Sequence, residues 1–295
     1  MLPVEEPQMV TPVRGRSDKQ PRLLWYARGM SDFVTLDISD SIATVTLLRA
    51  TMPPTFFVDI EAVFRRIATE RDVRVVVVQS TAKAFSFGLD LRAAMTELGP
   101  HLSGGLAGGR MELLGLIKRL QTSFDVIASC PVPVIAAIHG QCIGGGLDLI
   151  TACDMRLSTR DATFSLRETK IGIVADLGSL QRLPRICGQG VVRELAFTGK
   201  DISAARAESI GLVNELFEDI TSLHTGARKL AVEIAGNPPL TVRGVKAVLD
   251  YGEGKTVADG LAYVAAWNSA FLASEDLMEA MMAFMEKRPA RFTGK

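Results

Sequence analysis

The sequence predicts an α/β protein, and three observations carry that prediction. The runs VRVVVVQ (73–79) and VPVIAAI (132–138) are short, continuous and rich in β-branched residues, as strands buried on both faces are. Stretches with apolar residues at helical spacing alternate with them, which calls for right-handed crossovers and a largely parallel sheet. After about Gly188 the balance shifts to helices, so a helical region is expected to follow the α/β core.

In chain order, residues 1–29 hold four prolines and mixed charge without sustained periodicity, and are expected to be a flexible N-terminal extension. They lack the apolar run of a signal peptide, and Glu5, Glu6 and Asp18 speak against an Arg-rich transit peptide. The final FTGK is no peroxisomal address, so the expected location is cytoplasmic. A core domain is expected over 30–225. FVTLDI and IATVTLL, separated by the polar SDS, read as a strand pair. PPTFFVDIEAVFRRIATE (53–70) reads as a helix whose leading prolines sit where a missing N–H costs little. The strand VRVVVVQS follows, then a helical or loop region interrupted by SGGLAGG (103–109), then a helix over MELLGLIKRLQTSFDVIAS. VPVIAAI is the next strand, GGGLDLITA opens a helix, and MRLST and ATFSL are short strands. Helices over VVRELAFTG and SAARAESIG, and a short strand in LVNELF, come next. Helices around 222–235, 240–250 and 256–285 complete the chain, the last part forming a helical C-terminal region over 226–295.

Composition narrows the function classes. The 295 residues are 47% hydrophobic with zero formal net charge, which supports neither nucleic-acid nor membrane-surface binding. No apolar run is long enough to span a bilayer. Cys130, Cys142, Cys153 and Cys187 are widely spaced and there are only three histidines, so neither a disulfide framework nor a metal site is indicated.

The chemistry is expected in two glycine turns and three acids. VRVVVVQSTAKAFSFGLDL (73–91) and VPVIAAIHGQCIGGGLDL (132–149) each run from a buried strand through a glycine turn into a helix. Neither matches a dinucleotide or P-loop fingerprint. Two helix-start N–H groups from different turns can converge on one oxygen, the construction of an oxyanion hole. The same glycines equally suit tight strand-to-helix packing. RETKIGIVADLGSLQRLP (167–184) sets Glu168 and Asp176 in apolar surroundings, and Asp148 falls in the first turns of a helix. Taken alone, Asp148 complements a helix dipole, Glu168 is a solvated loop acid and Asp176 is an N-cap. Asp90 reads as structural, and His139 as packed or bonded to backbone.

In order along the chain, AFSFGLDL (84–91), PVIAAIHGQCIGGGLDLITACDMRLST (133–159), FSLRETKIGIVADLGSLQRLPRICG (164–188), TGKDISAARAESIGLVNELF (198–217) and FMEKRPARF (284–292) resemble the crotonase (enoyl-CoA hydratase/isomerase) superfamily from about Phe33 onward. The resemblance implies a spiral of ββα turns with a helical C-terminal trimerisation region, assembled as a homotrimer or homohexamer. It also implies an acyl-CoA thioester substrate, with no metal or redox cofactor beyond the coenzyme A that the substrate carries. The oxyanion hole maps onto the backbone N–H groups of Leu89 and Gly145, with Phe87 and Gly144 beside the substrate. Coenzyme A contacts made across a subunit boundary map onto Phe284 and Lys287. Hydratase members carry two glutamates, at the positions of Asp148 and Glu168. Members that move double bonds from Δ3,5 to Δ2,4 carry Asp, Glu and Asp at 148, 168 and 176, as this chain does.

That branch implies isomerisation of 3,5-dienoyl-CoA in fatty-acid β-oxidation. One of Glu168 and Asp176 exchanges the C2 proton and the other the C6 proton, while Asp148 hydrogen-bonds Glu168 and tunes it. The alternatives are a 2-enoyl-CoA hydratase, weakened by the shorter Asp148, and a non-catalytic acyl-CoA-binding protein. Phe87 departs from the small residue usual in the family, a bulk that narrows the acyl tunnel or shifts the hole. The proline-containing RATMPPTFF departs from the family's usual asparagine-containing turn.

Overall fold

The computed structural model describes residues 31–103 and 107–295, so the expected extension over 1–29 lies outside the described residues. The first two strands, β1 (Val34–Ser39) and β2 (Ile42–Leu47), pair antiparallel with Ser39 opposite Ile42. The two turn residues, Asp40 and Ser41, both take positive φ (52° and 63°), as the tight turn of a twisted hairpin requires.

From β2 the chain repeats one unit: a strand in a large sheet, a short strand in a second layer, then helix. The first repeat continues through β3 (Thr51–Met52) and α1 (Pro54–Thr69), and the second through β4 (Val75–Ser80), β5 (Gly88–Leu89), α2 (Leu91–Ser103) and α3 (Ala107–Ala128). The third is β6 (Val134–Ile138), β7 (Gln141–Ile143) and α4 (Gly145–Thr151). The fourth is β8 (Met155–Thr159), β9 (Thr163–Ser165), a 3-10 turn at Glu168–Ile171, α5 (Ser179–Ile186) and α6 (Gln189–Thr198). The chain then runs through β10 (Asp201–Ser203), α7 (Ala204–Ser209), β11 (Glu215–Phe217) and α8 (Ile220–Ala235). It ends in α9 (Pro239–Gly252), α10 (Val257–Phe271) and α11 (Glu275–Glu286). The large sheet has the order β1-β2-β4-β6-β8-β11, parallel from β2 onward, as the alternation of strands and helices predicts. The second layer holds the ladders β10-β9-β7 and β3-β5.

The continuous apolar runs reflect burial on both faces. Val76, Val78, Ala136 and Ile138 pack against Phe56 and Phe64 of α1 and Phe124 of α3. Their neighbours Val75, Val77, Ile135 and Ala137 pack beneath Leu223, Ala227 and Ala231 of α8. Fully burying such a side chain contributes roughly 1.5–3 kcal/mol, which anchors the strand ends where the glycine turns begin.

Two expectations change in detail. Of the expected SGGLAGG interruption, Ser103 ends α2 and Ala107, Gly108 and Gly109 belong to α3, while 104–106 lie outside the described residues. The helix expected over 256–285 is two helices, because the Ser274 side chain accepts from the Leu277 N–H and caps a fresh start.

Candidate active site

The two glycine turns are zipped together by backbone hydrogen bonds. Phe85 N–H donates to His139 O (2.8 Å), Ser86 N–H to Gln141 O (2.9 Å), and Ile143 N–H to Ser86 O (2.9 Å). His139 is bonded to backbone as expected, its Nε2 lying 3.0 Å from Ala82 O. This pairing carries β5 against the start of α4. Gly88, at φ +80°, admits no side chain: a Cβ there would stand 2.7 Å from Ile143 O and 3.0 Å from Gly145 N. A Cβ on Gly145 would lie 3.8 Å from Leu89 N, so the N–H groups of Leu89 and Gly145 are neighbours. Gly145 is the first residue of α4, and its N–H has no acceptor within that helix. Phe87 is half-buried, with Lys83 Nζ 5.1 Å above its ring.

Glu168 comes to this place through Gly144. That residue turns at φ +55°, and a Cβ on it would fall 3.2 Å from Glu168 Oε1. The carboxylate therefore reaches the entrance of α4 because nothing projects from the cap. Asp148 is 1% exposed, and its Oδ1 accepts from the Ser179 N–H at 2.7 Å. The expected hydrogen bond between Asp148 and Glu168 is not formed; Glu168 Oε2 is buried without a hydrogen-bond partner. The reason is that Ser179 opens α5 and offers an unsatisfied N–H, which Asp148 caps from across the fold. Asp176 is not the N-cap of α5 either, since Gly178 occupies that position at φ +119°.

The three carboxylates share one electrostatic environment. Burial pushes the Glu168 carboxyl up to about 7, and the charges of Asp148 and Asp176 add to the rise. Burial likewise pushes Asp148 up to about 6, aided by Asp176 and opposed by the Ser179 hydrogen bond and by Arg182. Asp176 is raised mainly by burial. Glu168 and Asp148 can thus hold or release a proton near neutral pH, as general acid–base chemistry demands.

The structure thus brings together Leu89, Gly144, Gly145, Asp148 and Glu168, with Asp176 coupled to both other acids. It does not bring in Phe284 or Lys287 within one chain: both are exposed near the end of α11, Phe284 at 86%. Asp90 is structural as expected, accepting from the Ala93 N–H at the start of α2. Ser179, Arg182 and Gln121 were missed. Ser179 and Arg182 lie within the stretch that carries Asp176. Gln121 sits 55 residues away from that acid in a helix and leaves no local signal.

These features place the chain in a known class. The enoyl-CoA hydratase/isomerase pattern matches residues 37–295, and the chain belongs to that family. It is 41% identical over 270 residues to the mitochondrial Delta(3,5)-Delta(2,4)-dienoyl-CoA isomerase of Dictyostelium discoideum, covering 88% of this chain and 91% of the relative. It is 44% identical over 239 residues to the peroxisomal protein of the same name from Arabidopsis thaliana, covering 80% and 86%. Among solved structures, an enoyl-CoA hydratase from Bacillus anthracis matches at 29% identity and a TM-score of 0.80, covering 89% of this chain and 99% of that one. The fold is therefore crotonase-like. The expected cytoplasmic location is corrected, because these relatives bear mitochondrial and peroxisomal names. Composition does not separate those compartments from the cytoplasm, and a targeting address is read by a receptor, not by the core.

Proposed function

We infer that the chain is an acyl-CoA double-bond isomerase that converts 3,5-dienoyl-CoA to 2,4-dienoyl-CoA in fatty-acid β-oxidation. One observation carries this reading: Glu168 reaches the start of α4 beside the N–H groups of Leu89 and Gly145, and its charge interacts with those of Asp148 and Asp176. The thioester oxygen is held between those two N–H groups, which stabilise the dienolate and make the C2 proton acidic. One of Glu168 and Asp176 takes the C2 proton, and the electron pair spreads through the diene onto the oxygen. The other, protonated beforehand, donates at C6, so C2=C3 and C4=C5 form and the proton count balances. Asp148 supplies negative charge that keeps Glu168 ready to hold a proton. Hydration would instead need two carboxylates aimed at one water, and Asp148 Oδ1 is taken by the Ser179 N–H.

Gly144 and Phe87 are assigned to the substrate wall, and Phe284 and Lys287 to coenzyme A bound by a neighbouring subunit. The only cofactor-like group is the coenzyme A that the substrate carries. The helical region over 226–295 is assigned to assembly as a homotrimer or homohexamer, with 30–225 as the spiral core. Leu249 (68%), Val257 (80%) and Met285 (72%) give this region apolar surface for such contacts.

The test is to incubate the purified protein with 3,5-octadienoyl-CoA and, separately, with crotonyl-CoA. Conjugated dienoyl absorbance should grow, and fall at least about 10²-fold in Glu168→Gln and in Asp176→Asn. Rapid crotonyl-CoA hydration with no diene product would overturn the reading in favour of a hydratase. Binding without turnover of either thioester would leave an acyl-CoA-binding protein.

A further inference from the structure

We propose that Gln121 is a positioning residue for Asp176, and that α3 thereby sets one of the two proton transfers without touching the other. The proposal rests on the isomerase reading above. Upstream of Asp176, Ile171, Ile173 and Val174 are exposed, Val174 at 75%, whereas Ala175 and Leu177 on either side of the acid are buried in the core. Polar grips then fix the peptide between those two anchors. Gln121 Nε2 donates to the backbone carbonyl of Asp176 itself at 2.7 Å. One turn further along α3, Asp125 Oδ1 accepts from Arg182 Nη2 at 2.6 Å. The other arm of the same guanidinium, Nη1, donates to Leu177 O at 3.2 Å. Gly178 makes this possible, because a Cβ there would collide with the Arg182 guanidinium. Residues 121 and 125 share one face of α3, so a single helical turn holds the peptide on which Asp176 stands.

Among the described residues, no hydrogen bond ties Glu168 to α3. It opens its own 3-10 turn, and its carbonyl accepts from the Ile173 N–H at 3.0 Å. Loss of the Gln121 donor therefore displaces one carboxylate and leaves the other in place. A purely structural role would slow both proton transfers together; a positioning role separates them.

The test uses Gln121→Met, which keeps the length of the side chain and removes its donor. Turnover of 3,5-octadienoyl-CoA in D2O is followed together with deuterium exchange at C2 of recovered substrate and at C6 of product. The expected result is a kcat lower by about 10-fold or more, with KM within about twofold. The ratio of exchange at the two carbons should shift by about 10-fold against the carbon that Asp176 serves. Asp125→Asn should shift the ratio in the same direction by less, and it serves as the second variant if Gln121→Met does not fold. An unchanged ratio in both variants, or equal slowing at both carbons, would overturn the proposal while the wild-type diene signal upholds the isomerase reading. Wild-type protein that forms no diene overturns both.

Discussion

Two halves of the site meet at the start of α4 and are built from opposite materials. Between Gly88 and Gly145 the site is backbone, two turns drawn so close that any side chain at Gly88 would strike Ile143 O. Between Glu168 and Asp176 it is side chain, charges that interact through a partly buried space. The first half depends on shape, and its donors are backbone N–H groups, which do not titrate. The second depends on field, and each acid's proton affinity is set partly by its neighbours. A substitution in the shape half should therefore lower the rate at every pH, whereas one in the field half should also change how the rate responds to pH.

The largest effect that separates the halves is expected from Gly88→Ala. Strain at φ +80° and collision with Ile143 O would push the Leu89 N–H out of line. Loss of one oxyanion donor costs about 10²–10³ in kcat, and dienoyl turnover should fall by that order across the whole pH range. A fall confined to one side of neutrality would break the comparison.

A smaller and opposite signature belongs to Asp148→Asn. The charge of Asp148 raises the Glu168 carboxyl, so its removal should move the limb of the kcat profile that reports Glu168 to lower pH. The amide oxygen of Asn can still accept from the Ser179 N–H, which keeps the start of α5 capped. A kcat profile measured from pH 5 to 9 with no displaced limb would contradict the coupling.

The smallest effect is on stability. The Glu168 carboxyl lies near 7 in the fold against 4.5 ordinarily, so between those values the folded chain binds more protons than the unfolded one. Stability contributed through this group is then greatest at low pH and is lost as pH rises through that window. Glu168→Gln should be more stable than the parent at pH 8, by about 3 kcal/mol at most, and level with it near pH 4. Urea unfolding at the two pH values checks the sign.

The two halves also differed in how far the residues alone revealed them. The long strands β4 and β6 announce themselves by composition, and the glycine turns that follow them point to the hole. The two-residue strands β3 and β5, which hold the first turn, are too short to leave any periodicity. Among the acids, position and type were legible, but bonding was not. Asp176 reads as a helix cap in sequence because it precedes an amphipathic stretch, yet the cap is Gly178 and the carboxylate that satisfies Ser179 comes from Asp148, 31 residues away. Local spacing reports which residues a helix will present, not which distant donor will meet them.

The sequence by itself determined the alternation of buried strands and helices, the two glycine turns and the Asp, Glu, Asp set at 148, 168 and 176. These follow from side-chain size, periodicity and backbone freedom, all of which are local. The tertiary structure alone decided that Asp148 bonds Ser179 and leaves Glu168 Oε2 without a hydrogen-bond partner, and that Gln121 holds Asp176. Burial and hydrogen bonding between segments far apart in the chain exist only once the chain has closed on itself, and they set where each proton sits.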